Sequence, residues 1–371
     1  MGWSMKVGDS PETHPPPARC CVQGRGSLAD RLRRLIETQG PIPVADYMAL
    51  ANAHYYATRD PLGGGGDFVT APEISQVFGE LIGLALADLW VRAGRPAGIR
   101  YVELGPGRGT LAADALRAMR AAGLDPEVHL VETSPVLRAA QAERVPDVHW
   151  HDDLGTLPER GPIVAVANEF FDALPVRQLV ATPSGWRERR VAVDGDRFVP
   201  VAGAPIPESA IPAPLRGAPP GTVIEASPAS LACLRQLAER MIMCGGTALI
   251  VDYGHDRTSA GETLQAVRAH RYADPWTAPG SSDLTAHVDF EAVRECACRA
   301  GLATHGPVPQ GEWLNRLGID ARAAALARRA PDRSEDVLAA RNRLVAPEAM
   351  GSLFRVLGLS SPGWPAPEGF R

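Results

Sequence analysis

The chain has 371 residues, 45% of them hydrophobic and 22% charged, enough to bury a large core in one enlarged domain or two. A formal charge of -5 at pH 7 supplies no general attraction to nucleic acid or to an anionic membrane surface, and no apolar run reaches the length of a membrane span. The partner expected is therefore a protein or a small molecule.

Residues 1–26 lack the apolar core of a secretory signal and read as a disordered extension, and Asp9 and Glu12 argue against a mitochondrial transit peptide. Of the six cysteines, Cys20/Cys21 and Cys296/Cys298 are close pairs while Cys233 and Cys244 are single. Neither pair has a second zinc half-site, so no metal is expected. Reduced thiols fit the cytoplasm, or the mitochondrial matrix in a eukaryote. Residues 28–54 pattern as two short amphipathic helices divided by Gly40-Pro41-Ile42-Pro43, which cannot continue a helix. The glycine run at 63–66, followed by Asp67-Phe68-Val69-Thr70, suggests a loop or lid that brings Gly66, Asp67 and Thr70 to a ligand. Residues 75–91 are apolar at helical spacing and close an N-terminal helical part, 27–98.

An alternating pattern follows. In residues 101–110 (YVELGPGRGT) a strand bearing Glu103 runs into a loop with Gly105, Gly107 and Gly109, and a helix over 111–122 follows Thr110. A second strand, 128–131, ends at Glu132 with Ser134 just beyond. A third, 148–150, ends at His151-Asp152-Asp153, and a fourth, 163–167, at Asn168-Glu169-Phe170-Phe171-Asp172. Polar residues after strand ends mark the ligand-binding edge of an α/β, Rossmann-like sheet with helices on both faces. Residues 176–201 alternate apolar and polar side chains around Pro183-Ser184-Gly185 and Asp194-Gly195, which predicts antiparallel strands within a β-rich, substrate-side insertion over 177–221. A strand at 222–225, a helix at 228–243, a strand at 247–251 ending in Asp252-Tyr253, and the stretch DLTAHVDF (Asp283, His287, Asp289) before a helix at 291–300 return the chain to the sheet. The sheet domain is thus expected from 99–176 and 222–310, and the tail, 311–371, is expected to be mostly helical.

The neighbours of the glycine loop narrow its ligand. A phosphate-binding P-loop needs Lys and Ser or Thr after the last glycine, where this chain has Thr110-Leu111. Glu103, two residues ahead of the glycines, would repel the diphosphate of a dinucleotide. It suits S-adenosylmethionine, which carries a sulfonium and an amino group. Glu132 can then accept from the ribose hydroxyls, Asp152 or Asp153 can face the adenine amine, and Asn168 can stand at the methyl end.

The motifs GDFVTAPEISQVFGE, ELGPGRGTL, VETSPVLRAAQ, NEFFDALPVRQ, LIVDYG, DLTAHVDF and MGSLFRVL, in this order over most of residues 28–359, resemble the MidA family of class I methyltransferases. Mitochondrial members of that family are protein arginine methyltransferases that assist assembly of respiratory complex I. The resemblance implies a seven-stranded Rossmann-like methyltransferase sheet and a protein substrate, a complex I subunit or its bacterial counterpart. It implies no nucleic acid partner, and it leaves a homodimer open. A protonated guanidinium is a poor nucleophile, so carboxylates must hold it and accept its proton. Glu169 and Asp172 are the candidates, with His287 as a proton relay, Phe170 and Phe171 as walls, and Asp252, Tyr253, Asp283 and Asp289 as further acceptor contacts. Three other readings stay open: a small-molecule O- or N-methyltransferase, an assembly factor that binds the donor without turnover, and, weakest, a dehydrogenase.

Overall fold

The computed structural model describes residues 27–58, 67, 69–268 and 270–370. The extension expected at 1–26 and the glycine run at 63–66, with Gly66, lie outside the described residues. Helix α1 (Leu28–Gln39) starts at a capping box in which the Ser27 hydroxyl accepts from the Asp30 N–H and the Asp30 carboxylate accepts from the Ser27 N–H. Gly40 ends it, and β1 (Ile42–Pro43) leads into α2 (Val44–Thr58). The short α3 (Ala71–Ile74) precedes α4 (Gln76–Arg92), which is capped by Ser75 and buried along most of its length.

Strands and helices then alternate as β2 (Arg100–Leu104), α5 (Thr110–Ala121), β3 (Glu127–Val131), α6 (Pro135–Arg144), β4 (Val148–His151) and β5 (Ile163–Asn168). The insertion supplies β6 (Arg177–Thr182), β7 (Gly185–Asp194), β8 (Arg197–Pro205) and β9 (Val223–Ala226). After α7 (Pro228–Cys244) and β10 (Gly246–His255) come four short strands, β11 (Gln265–Arg268), β12 (Arg271–Ala273), β13 (Asp283–Thr285) and β14 (Val288–Asp289). The chain finishes with α8 (Phe290–Arg299), β15 (Ala303–Pro309), α9 (Gln310–Arg316), α10 (Ile319–Arg329), α11 (Ser334–Val345) and β16 (Phe354–Ser360).

The central sheet runs β15-β16-β10-β5-β2-β3-β4, with β14 beside the end of β10. Strands β10, β5, β2, β3 and β4 are parallel, and β16 is antiparallel to both of its neighbours. Helices α4, α5 and α9 to α11 pack on one face and α7 and α8 on the other, so the inner strands are buried on both sides. That is why they read as unbroken apolar runs. The order reverses direction at β2: one βα unit continues to β3 and the later one returns to β5. The carboxyl ends of β2 and β5 therefore flank a crevice.

Two expectations change. The tail is not helical throughout: its last element, β16, lies inside the sheet, because a seven-residue run as apolar as FRVLGLS carries no period that separates a buried strand from a helix. The strand expected at 222–225 does not rejoin the central sheet. It is β9, which pairs antiparallel with β6 in a second sheet, where β1 and β8 pair with β7.

Helix α4 crosses α5 at very close range. A Cβ on Gly83 would lie 2.3 Å from the Ala115 carbonyl oxygen, and one on Gly79 2.7 Å from Asp114 Cβ. Between them the buried Glu80 accepts from Arg117 at 2.9 Å and from Arg322 of α10 at 2.6 Å, tying three helices together. Because α5 starts in the glycine loop, it cannot move aside without moving that loop. Gly83→Ala is accordingly expected to lower stability by about 2–3 kcal/mol in urea unfolding.

Candidate active site

A cavity of about 770 Å³ opens at the carboxyl ends of β2, β3, β4 and β5, closed on its flanks by residues of α2 and α7. Gly105, Gly107 and Gly109 line or frame it at φ +61°, +55° and +79°, the left-handed region that glycine enters without strain. At Gly105 the space is also closed: a Cβ would stand 2.7 Å from the Phe170 ring. Thr110 opens α5 on the cavity wall and gives its hydroxyl to Glu73.

Polar groups arrive on the ends of four strands. Glu103 is buried at the cavity floor and accepts from the Tyr101 hydroxyl at 2.5 Å. Burial pushes its carboxyl up to about 8, against the opposing pull of that hydroxyl. Glu132 follows β3; its Oε1 accepts from the Ser134 N–H at 2.7 Å, and burial raises its pKa. Ser134 caps α6 and donates its hydroxyl to the Tyr56 carbonyl at 2.7 Å. Beyond β4, Asp152 accepts from Arg138 at 2.7 Å on the rim, while Asp153 spends one oxygen on the Gly155 N–H at 2.8 Å. At the end of β5, Asn168 Nδ2 reaches Glu169 at 3.3 Å, and the buried Asn168 Oδ1 has no partner among the described residues.

Beside this half lies a cluster of acids. Glu169 is held at φ +50°, a conformation that costs a β-carbon residue strain, and its Oε1 accepts from the Ala71 N–H at 3.0 Å. Burial pushes its carboxyl up to about 8, with the nearby Asp172 adding to the shift. Burial likewise raises Asp172, whose Oδ1 has no hydrogen-bond partner among the described residues, and Asp283, which accepts from the Tyr56 hydroxyl at 2.9 Å. These acids disfavour one another's ionisation, and the cationic influence on Glu169 is a weak one from Arg343. Their partners are neutral instead. Three tyrosines stand hydroxyl-first against carboxylates in this part of the molecule: Tyr55 on Asp67, Tyr56 on Asp283 and Tyr101 on Glu103.

Several expected contacts sit elsewhere. Asp252 anchors a turn: its Oδ2 accepts from the N–H groups of Phe170, Phe171 and Asp172 at 3.2, 2.9 and 3.3 Å, fixing the segment that carries the acids. Phe170 faces the cavity, but Phe171 is a core residue. Thr70 lines the cavity, whereas Asp67 stands behind it on Tyr55 at 2.6 Å. His287 and Asp289 fall outside it. They line a separate cavity of about 210 Å³, where the Asp289 carboxylate caps α8 through the Ala292 N–H and accepts from Thr258. Ala286 causes the separation: its N–H bonds to the Asp172 carbonyl, so the chain passes the acid cluster there and His287 emerges beyond it.

Residues 81–308 match the model of a family of S-adenosyl-L-methionine-dependent methyltransferases. The chain belongs to this family. It is 39% identical, over 95% of its length and 89% of the relative's, to the Drosophila melanogaster "Protein arginine methyltransferase NDUFAF7 homolog, mitochondrial". It is 37% identical to the human "Protein arginine methyltransferase NDUFAF7, mitochondrial", over 87% and 81%. A Burkholderia thailandensis protein crystallised with S-adenosyl-homocysteine superposes with a TM-score of 0.81 at 31% identity, covering 92% of this chain and 93% of the other.

The cavity fits the donor of this methyltransferase on its own evidence. A buried carboxylate with a phenolic partner, a second carboxylate one strand away, and an orphaned amide oxygen between donor and acid cluster are groups that await a cationic, hydroxyl-bearing ligand. Cys233 adds an apolar wall from α7, its thiol pushed up to about 12 by burial and so neutral. Among the described residues no group of three or more His, Cys, Asp or Glu could hold a metal, and no helix is long and apolar enough to cross a membrane.

Sequence inspection passed over Tyr55, Tyr56, Tyr101 and Gln141. Tyr56 and Asp283 are 227 residues apart, so no local pattern joins them. For Tyr101 a signal exists: two residues before Glu103 on one strand, it shares that residue's face.

Proposed function

We propose that this methyltransferase transfers the donor's methyl group to an arginine side chain of a protein. The supporting observation is the acid cluster of Glu169, Asp172 and Asp283, buried beside the methyl end of the donor cavity; among the described residues Glu169 accepts from the Ala71 N–H and the Asn168 amide and Asp283 from the Tyr56 hydroxyl, none of them a cation. Burying several carboxylates without counter-charge is costly, and a guanidinium with its five N–H donors relieves it. The curated relatives bear the name protein arginine methyltransferase.

S-adenosylmethionine, when bound, supplies an electrophilic methyl group on a sulfonium. The protein's work is alignment and proton removal. Glu169 stands at the cavity and Asp172 behind it. Together they hold the guanidinium bidentately, keep its charge on the nitrogens that do not react, and take the proton released on transfer. Phe170 presents its ring to the cavity between glycine loop and acid turn, where it shields the reacting atoms from water. Asp252 keeps the turn in place.

The client we infer, on the sequence resemblance, is a respiratory complex I subunit or its bacterial counterpart. The compartment is a reducing one, cytoplasm or matrix, in keeping with the free thiols of Cys233, Cys244, Cys296 and Cys298. Incubation with isotope-labelled S-adenosylmethionine and a lysate lacking the protein, followed by mass spectrometry, is expected to place the label on arginine. Label on small molecules alone would favour an O- or N-methyltransferase. Tight client binding without label would favour an assembly factor.

A further inference from the structure

Gln141 lies on the inner face of α6 with no solvent exposure, and its side-chain amide meets three groups. Its Nε2 donates to the Gly107 carbonyl at 2.7 Å and faces Glu132 Oε2 at 3.4 Å. Its Oε1 accepts from the Trp150 indole N–H at 2.8 Å. An indole N–H can only donate, so Trp150 decides which end of the amide is oxygen and turns both amide hydrogens toward the loop and the carboxylate. The other oxygen of Glu132 is held by the Ser134 N–H at 2.7 Å. The stem of Gln141 is used as well: a Cβ on Gly109 would meet Gln141 Cγ at 3.4 Å, so the glycine loop packs directly on it.

From these contacts we infer that Gln141 is a positioning residue for the methyl donor, fixing the glycine loop and the Glu132 carboxylate in one arrangement so that Glu132 meets the two ribose hydroxyls. The inference rests on the assignment of Glu132 to the ribose. Its chemistry explains the choice of an amide. An arginine or lysine at this position would neutralise Glu132 and compete with the hydroxyls, and a carboxylate would repel it. A neutral donor, itself oriented by Trp150, steers the carboxylate and leaves its charge for the ligand.

Isothermal titration with S-adenosylhomocysteine and with its 2′,3′-dideoxyribose analogue tests this without any acceptor, so the result is independent of the arginine proposal. Wild-type protein is expected to prefer the diol by about a hundredfold, as two charge-assisted hydrogen bonds allow. Gln141→Met keeps length and packing; it is expected to weaken S-adenosylhomocysteine about tenfold while leaving the dideoxy analogue nearly unchanged, so that the preference shrinks. Trp150→Phe, which only releases the amide, is expected to move both numbers the same way by a smaller factor. Equal weakening of both ligands in Gln141→Met would make the residue a packing element and overturn the proposal. So would an undiminished preference in both variants. Absence of any diol preference in the wild type would overturn the Glu132 assignment and the inference with it.

Discussion

Glu169→Gln is expected to abolish methyl transfer, leave donor binding intact, and make the ligand-free protein more stable at alkaline pH. Loss of the proton acceptor and of half the guanidinium clamp should lower kcat by about 10²–10⁴-fold. The stability gain follows from the same carboxyl. In the unfolded chain it ionises near 4.5, but in the folded protein burial pushes it up to about 8. Between those values the unfolded state has lost the proton and the folded state still holds it, so stability falls as pH rises, and above about 8 the loss is complete and constant. The variant's amide does not ionise across this range and still offers an oxygen to the Ala71 N–H. Urea unfolding at pH 5, 7 and 9 should show the two proteins alike at the acidic end and the variant ahead, on the order of 2–4 kcal/mol, at the alkaline end. Normal turnover in the variant, or a pH-independent stability difference, would refute the role given to Glu169.

The second large effect concerns the donor. Glu103→Gln should weaken S-adenosylmethionine binding by about 2–4 kcal/mol, a factor of roughly thirty to a thousand, because a buried carboxylate facing a cationic ligand is lost. Wild-type binding should also release protons. With its carboxyl pushed up to about 8, Glu103 is mostly protonated at neutral pH, and a bound cation requires the ionised form. Affinity is therefore expected to rise with pH and level off above about 8. Titration in buffers of different ionisation enthalpy reads the released proton directly. A wild-type affinity flat from pH 6 to 9 would show that Glu103 does not meet the donor's charge.

Much of the donor half was legible because it is local. Strand, glycines and helix follow one another within residues 101–122, and Glu132 and Asn168 each end a strand whose apolar run announces it. The hairpins of the insertion were equally plain, since their period of two is interrupted at Pro183-Ser184-Gly185 and at Asp194-Gly195. The acceptor half was legible as chemistry and not as geometry. Asp172, Asp252, Asp283 and Asp289 look alike in a sequence, yet one is an open acid, one a turn anchor, one a tyrosine partner and one a helix cap. The cap at Asp289 is local, made to the Ala292 N–H, but the roles of Asp252 and Asp283 depend on N–H groups and a hydroxyl brought from tens to hundreds of residues away. His287 misled for the same reason: proximity in DLTAHVDF is not proximity across a turn that β13 has already left.

The position of β16 bears on how the molecule is made. The order of synthesis and the order of the sheet disagree, because residues 354–360 are made after both β10 and β15 and yet occupy the place between them. Until they emerge from the ribosome, β10 and β15 present facing edges with unpaired backbone groups, a template for pairing with other chains. The donor cavity, on the far side of β5, is already encoded by then. A chain stopped a dozen residues before Phe354 would thus carry every group of the methyl-donor site and still behave as an aggregation-prone fragment, so termination just ahead of β16 should be as damaging as termination within the donor site.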